Sequence, residues 1–229
     1  SRRLAAAAAA LLCSVPTLRR TAVTEAWIER WREGRTGWHE PTGSASLKKH
    51  WRATGRRVLV PFCGKSLDLL WLADQGNEIV GVELSELAIH DFFAEQALEF
   101  TIIDGKLPAY RAIDKPITIY CGDYFDLTSL HCDAHYDRGA LVALPADIRP
   151  RYVTQTDALL EQPVERLIIT LEYDQSIVDG PPYAVFADEL LTYWPFLQCV
   201  DAYDDLVNGP PHFREAGLGE MVEKIWRAP

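Results

Sequence analysis

Residues 57–66, RVLVPFCGKS, set the architecture of the chain, because an apolar run stops there at a glycine-containing turn. Arg57 to Phe62 predicts a buried first strand, and the apolar spacing from Ser66 to Gln75 predicts a helix that Gly76 ends. Glu78 to Glu83, EIVGVE, predicts a second strand. A strand, a helix and a strand in this order are typical of a parallel βαβ unit.

The same alternation continues along the chain and favours one α/β domain. Ser85 is well placed to cap the next helix. Two short strand-like runs, 110–113 and 117–120, are compatible with a hairpin. The further predictions are a strand and turn at 135–144, a helix at 146–161, a central strand at 166–172, a helix at 185–194 and late strands at 196–202 and 221–226. Because no repeat or linker divides these elements, residues 24–229 are predicted to form a single domain.

Composition excludes several classes of partner. The 229 residues carry 23 basic and 33 acidic side chains, a formal net charge of −10. A field of that sign repels phosphate backbones and anionic membranes, so neither nucleic acid nor a membrane is expected as a partner. Five scattered cysteines without a CxxC pair fit a reducing cytoplasm rather than a disulfide framework. No metal is expected, since His131 and His135 have no further ligand pair beside them.

Residues 1–23 stand apart as an alanine- and arginine-rich leader that is expected to lie outside the fold. A basic start, a short apolar middle and small residues without acids have the outline of a targeting segment. The apolar part is too short to span a bilayer. A frayed extension from an upstream start codon is the alternative.

The turn after the first strand is the first candidate binding site. Ligands of open α/β sheets bind beyond the carboxyl ends of the strands, and Gly64 lets a ligand approach the backbone there. Glu83 ends the second strand, where an acidic side chain can accept hydrogen bonds from ribose hydroxyls, although a solvated strand-end carboxylate is the alternative. Asp123 follows a third strand and can accept from an adenine amine, or it can simply cap a turn. A P-loop is excluded because position 59 is Leu, and the absence of G-x-G-x-x-G weakens an NAD site.

Several motifs in a fixed order make the chain resemble the thiopurine S-methyltransferase family, and its bacterial branch most. They are WIERW (27–31), GRTGWH (34–39), VLVPFCGKSLD (58–68) with WLA (71–73), VGVELS (80–85), YCGDYFDL (120–127), YDRGAL (136–141), LEYD (171–174) and GPPY (180–183). The resemblance implies a class I, Rossmann-like methyltransferase fold, with a mostly parallel seven-stranded sheet, helices on both faces and an antiparallel last strand.

The resemblance also implies roles for individual residues. S-adenosylmethionine would be bound by the Phe62 backbone, by Glu83 at the ribose, by Arg138 near the methionine end, and by further residues: Trp27 and Trp31 as a cover, Gly64 in the turn, and Asp123 and Tyr124 beside the adenine. Trp38 matches a position near the acceptor. Phe62 stands where Leu is usual and Trp38 where Phe is common, and the second departure affects the acceptor pocket.

The expected activity is S-adenosylmethionine-dependent S-methylation of thiopurine-like aromatic or heterocyclic thiols, yielding S-adenosylhomocysteine, in a cytoplasmic monomer. No residue is expected to act as an essential base, although Asp137 and Arg138 are the nearest groups that could tune acceptor charge. The alternatives are methylation of another soft nucleophile (an aliphatic thiol, halide, thiocyanate, or selenium or tellurium species), an NAD-dependent oxidoreductase, or a non-catalytic cofactor binder.

Overall fold

The computed structural model describes residues 22–128 and 130–228, so residues 1–21 of the expected leader lie outside the described part. The helices are α1 (Ala22–Arg32), α2 (Ala45–His50), α3 (Asp68–Asp74), α4 (Glu86–Glu95), α5 (Arg149–Ala158), α6 (Ala187–Tyr193) and α7 (Pro211–Glu215). The strands are β1 (Arg57–Pro61), β2 (Glu78–Glu83), β3 (Phe100–Ile103), β4 (Ala109–Ala112), β5 (Ile117–Cys121), β6 (Cys132–Asp137), β7 (Leu160–Glu172), β8 (Gln198–Asp204) and β9 (Val222–Arg227).

Within the described residues the strands form one sheet in the order β3-β4-β5-β2-β1-β6-β7-β9-β8. Strands β5, β2, β1, β6 and β7 are parallel, and β9 runs antiparallel between β7 and β8. The α/β class and the antiparallel last strand are therefore confirmed. The predicted strand number is wrong, because an antiparallel pair, β3 and β4, extends the sheet from seven strands to nine.

The predicted hairpin is confirmed as β4 and β5, whose Tyr110 and Ile119 are register partners. Its outer neighbour β3 went unpredicted because Thr101, Ile102 and Ile103 are exposed on both faces of this edge strand. Such a strand lacks the apolar and polar alternation of a half-buried one.

Several predicted boundaries are wrong on the far side of β1. The strand and turn at 135–144 is instead β6 followed by a 3₁₀ helix at Leu141–Ala143, and His135 lies buried inside the strand. The helix expected at 146–161 is only α5, because Leu160 already pairs with Cys132 and starts the long strand β7. The late strands each begin one or two residues later than predicted.

Side-chain alternation along the central strands builds an apolar core on each face of the sheet. Leu59 packs into one core with residues such as Tyr152 and Trp194. Val58 and Val60, on either side of Leu59, pack into the other core. Successive side chains of a strand point to opposite faces, so β1 is held between the two cores and its carboxyl end is fixed. In the part of the chain that is described, no helix is long and apolar enough to cross a membrane.

Candidate active site

The turn after β1 adopts a backbone that few residues tolerate. Phe62 and Gly64 have φ angles of 49° and 53°, in the left-handed region. The Cys63 amide donates to the Val82 carbonyl oxygen at 3.1 Å, which ties the turn to β2. The turn therefore comes to lie against the end of the second strand, at the sheet edge where ligands of this fold class bind.

Glu83 connects this turn to the start of α4. Its Oε2 accepts the Gly64 amide at 2.8 Å, and its Oε1 accepts the Ser85 amide at 2.8 Å. The side chain is buried, so the alternative of a solvated strand-end carboxylate is wrong. Burial raises the pKa of Glu83, while backbone hydrogen bonds, including those from Ser85 and Gly64, act against that rise. Each carboxylate oxygen has a second lone pair, so the group can still accept hydrogen bonds from a ligand.

Trp31 lies over the turn, and Trp38 links Trp31 to Trp27. Trp38 makes edge-to-face contacts with Trp27 and Trp31, with ring centroids 5.0 and 5.6 Å apart. A Cβ atom at Gly64 would lie 3.0 Å from Cζ2 of the Trp31 ring, which is tighter than ordinary contact. Glycine is therefore required at position 64 both by its backbone angle and by the indole above it. The structure thus brings Trp27, Trp31, Trp38 and Gly64 together.

Asp123 and Tyr124 follow β5, the neighbour of β2, where Glu83 pairs with Cys121. The Asp123 carboxylate accepts the Phe125 amide at 3.0 Å, so the cap predicted as its alternative role is present. The Tyr124 ring is buried and packs edge-on against Phe62 at 5.6 Å. Its hydroxyl lies 2.8 Å from the Thr156 hydroxyl. Tyr124 therefore supports the turn from below, and its side chain points into the core.

Asp137 ends β6 and Arg138 follows it, but the two side chains face different surroundings. The Asp137 carboxylate is buried and accepts the Tyr152 hydroxyl at 2.6 Å and the Ala140 amide at 2.9 Å. Burial raises its pKa, and its hydrogen bonds stabilise the turn after β6. Arg138 instead pairs with Glu40, and its Nη1 lies 3.5 Å from the Trp38 carbonyl oxygen. The segment that carries Trp38 and Glu40 is thereby joined to the end of β6.

A buried carboxylate that sequence reasoning missed fixes the same segment. Asp68, at the first position of α3, accepts the Ser44 amide at 2.7 Å and the Tyr136 hydroxyl at 2.8 Å. It is 1% exposed, so it holds the chain leading into α2 against both α3 and β6. An acid in the first turn of a helix suggests only a favourable interaction with the helix dipole, so this network could not be predicted from local spacing.

A cavity of about 380 Å³ opens farther along the same edge, at the end of β7 and the start of β9. Apolar side chains and carboxylates line it together, including Tyr173, Phe186, Leu218 and Glu172. The Glu172 carboxylate is already held by Lys224 at 2.7 Å and by the Ala187 amide at 2.9 Å. This cavity does not include the turn or Glu83.

Comparison with known proteins gives consistent matches. The sequence profile of the thiopurine S-methyltransferase family matches residues 22–228. The thiopurine S-methyltransferase of Bordetella petrii is 44% identical over 213 residues, which cover 89% of this chain and 96% of the relative. That of Pseudomonas syringae pv. syringae is 46% identical over 215 residues, with the same coverage. Burkholderia thailandensis 1,6-didemethyltoxoflavin-N1-methyltransferase, solved with S-adenosylhomocysteine bound, shares the fold with a TM-score of 0.59 at 18% identity, over 90% of this chain and 87% of that one.

Proposed function

Because this chain belongs to the thiopurine S-methyltransferase family, we propose that it transfers the methyl group of S-adenosylmethionine to the sulfur of thiopurine-like aromatic or heterocyclic thiols. The observation that carries the proposal is the buried Glu83 carboxylate bound to the amide of Gly64, with an indole directly above that glycine. This arrangement suits an adenosyl group that has a ribose at one end and a positive charge at the other. The family assignment decides against the NAD-dependent alternative.

The residues present fit the cofactor. A Cβ atom at Gly64 would crowd the Trp31 ring, and Glu83 keeps acceptor capacity for ribose hydroxyls. Ring faces attract cations, so a layer of indoles suits a sulfonium. We assign cofactor binding to Trp27, Trp31, Phe62, Gly64, Glu83, Asp123, Tyr124 and Arg138, and acceptor binding to Trp38. Because the Tyr124 ring lies in the core, its part is assigned to the backbone at that position.

When bound, S-adenosylmethionine supplies an electrophilic methyl group on a positively charged sulfur. The task of the protein is then to align the thiol with that methyl group and to exclude water, and alignment alone can contribute about 7–11 kcal/mol. Trp27, Trp38 and Trp31, which contact one another in that order with Trp31 over Gly64, serve to exclude water.

No essential base is needed for an acidic aromatic thiol, which is partly ionised near neutral pH. Three carboxylates at or beside the assigned residues are already engaged: Glu83 by two amides, Asp137 by Tyr152 and Ala140, and Glu40 by Arg138. Burial raises the pKa of the Cys63 thiol well above its usual range, so Cys63 serves packing rather than nucleophilic catalysis. We therefore assign no catalytic residue.

A small-molecule acceptor fits this kind of site. We further propose that the enzyme acts as a monomer in the cytoplasm, as a single domain over residues 24–229, without a metal and without nucleic acid or membrane partners. The net charge of −10 supports the last point, since it opposes binding to polyanions.

Incubation with methyl-labelled S-adenosylmethionine and a panel of acceptors tests the proposal. The panel contains a thiopurine, a thiophenol, an aliphatic thiol, thiocyanate, iodide and selenite. We expect the label to be transferred fastest to the two aromatic thiols. Faster transfer to another member would reassign the acceptor to a different soft nucleophile, and binding without any transfer would make the protein a cofactor binder.

A further inference from the structure

Helix α5 contacts three turns of the candidate site from inside the core: those after β1, β5 and β6. Two of its residues, Tyr152 and Thr156, lie four positions apart, so their side chains share one face of the helix. Both residues are 0% exposed, so neither side chain lies where a ligand could touch it. Any contribution that they make to binding therefore passes through the residues that they contact.

Tyr152 joins the turn after β1 to the turn after β6. Its ring packs against the Phe62 ring, with centroids 6.0 Å apart. Its hydroxyl donates to Oδ2 of the buried Asp137 carboxylate at 2.6 Å. The other oxygen, Oδ1, accepts the Ala140 and Leu141 amides at 2.9 and 3.3 Å, so the hydroxyl binds the oxygen that these amides leave free. One side chain thus connects two turns at the ends of neighbouring strands.

Thr156 holds the turn after β5 in the same way. Its hydroxyl lies 2.8 Å from the Tyr124 hydroxyl. The Tyr124 ring in turn packs against Phe62 at 5.6 Å and against Tyr152 at 5.4 Å. The rings of Phe62, Tyr124 and Tyr152 therefore form one aromatic cluster, and α5 carries the part of it that lies deepest in the core.

Phe62 depends on this packing because its backbone is strained. Its φ angle of 49° lies in the left-handed region, which is unfavourable for a bulky side chain. Such a conformation persists only where the surrounding structure holds it. Since the Phe62 main chain is assigned to the cofactor, the packing of its ring determines where that main chain meets the ligand.

We propose that Tyr152 and Thr156 are positioning residues for the cofactor site, an inference that rests on the proposed function. Through Phe62, Asp137 and Tyr124 they hold the three turns in one arrangement, so that all three meet the same adenosyl ligand. Loss of either hydroxyl would leave the fold intact but would allow one turn to shift relative to the other two. The protein would then bind the cofactor more weakly, although it keeps every group that touches the cofactor.

Isothermal titration with S-adenosylhomocysteine, together with thermal melting, tests the proposal. Tyr152→Phe keeps the ring and removes the hydroxyl, and we expect the dissociation constant to rise about 2- to 30-fold, the range for residues that act without touching a ligand. Thr170→Val is the matched control, because the Thr170 hydroxyl accepts the Trp226 indole N–H at 2.9 Å in the core and joins two strands rather than a turn. This control should lower the melting temperature and leave the dissociation constant unchanged. Because unfolded protein lowers the measured stoichiometry and not the dissociation constant, the titration separates positioning from stability.

Thr156 provides a second test with its own control. Thr156→Val removes the hydroxyl and should raise the dissociation constant within the same range, whereas Thr156→Ser keeps the hydroxyl and should bind as the wild type does. These two variants decide the question if Tyr152→Phe does not fold.

Two results would overturn the proposal: wild-type affinity in the folded variants that lack a hydroxyl, or an equal loss of affinity in such a variant and its control. A wild type that binds no S-adenosylhomocysteine would refute the proposed function. A wild type that binds it with the same affinity as Tyr152→Phe and Thr156→Val would refute this inference alone.

Discussion

Replacing Glu83 by Gln should separate two roles of this side chain: accepting hydrogen bonds from two backbone amides, and binding the cofactor as proposed above. An amide keeps one acceptor oxygen, so either the Gly64 or the Ser85 amide loses its partner. One buried amide without an acceptor costs about 1–3 kcal/mol. We expect the lower end, because burial already disfavours the charged form of Glu83 and the neutral amide avoids that penalty. For a chain of this size, each kcal/mol lowers the melting temperature by about 2–4 °C.

Cofactor affinity should fall by more than stability does. A lost hydrogen bond to a charged acceptor costs about 1.5–3 kcal/mol, or roughly 10- to 150-fold in the dissociation constant of S-adenosylhomocysteine. Calorimetry measures that constant, and thermal melting measures stability on the same sample. Glu78→Gln is the matched control at the exposed start of the same strand, where Glu78 pairs with Arg57 at 3.1 Å, and it should change neither quantity appreciably. A folded Glu83→Gln protein with wild-type affinity would remove Glu83 from the site.

Three further changes test the contact of Trp31 with Gly64, the role of Trp38 in acceptor binding, and protein stability at acid pH. Gly64→Ala and its control Gly55→Ala should each lower the free energy of unfolding by about 1–2 kcal/mol, because both glycines have positive φ angles. Only Gly64→Ala should weaken S-adenosylhomocysteine binding, because Trp31 faces Gly64 whereas open space surrounds Gly55. Equal affinities of the two variants in calorimetry would contradict this. Trp38→Ala should change the ratio of kcat/KM between a thiopurine and an aliphatic thiol more than it changes cofactor affinity, and a uniform loss across acceptors would argue against a pocket role. Hydrogen bonds from Lys49 and His50 lower the pKa of Asp201 from 3.8 to about 2, so Asp201 contributes stability above pH 3.8 that is lost as the pH falls towards 2. The melting temperatures of wild type and Asp201→Asn should therefore converge as the pH falls through that interval. A constant difference between them would refute the assignment.

The sequence predicted the central part of the fold well because local signals agreed there. An apolar run, a glycine turn and a second run ending in Glu83 specify β1, its turn and β2 without help from distant residues. The Ser85 cap also followed from local chemistry, and its hydroxyl accepts the Ala88 amide at 3.3 Å. By contrast, the end of α5 could not be read locally, because pairing of Leu160 with Cys132 decides it.

The same distinction applies to the candidate site. Gly64 and Glu83 belong to recognisable motifs at the ends of neighbouring strands, so their proximity could be expected. Glu40 lies in an irregular segment, and its pairing with Arg138 depends on how that segment crosses the sheet edge. Tyr124 shows the opposite case, since its motif suggested a ligand contact while its ring lies in the core. Tyr124 begins a short 3₁₀ helix, Tyr124–Asp126, where packing sets the side-chain direction and spacing does not encode it.

The position of Trp31 above Gly64 has a consequence for amide exchange. The Trp31 indole belongs to α1, at the start of the described chain, whereas the Glu83 carboxylate below it belongs to β2, in the middle of the sheet. A ligand bound between Trp31 and Glu83 would contact both α1, at the periphery, and β2, in the most protected part of the fold. Deuterium uptake should therefore slow in α1 on saturation, while the already shielded amides of β2 exchange at their former rate.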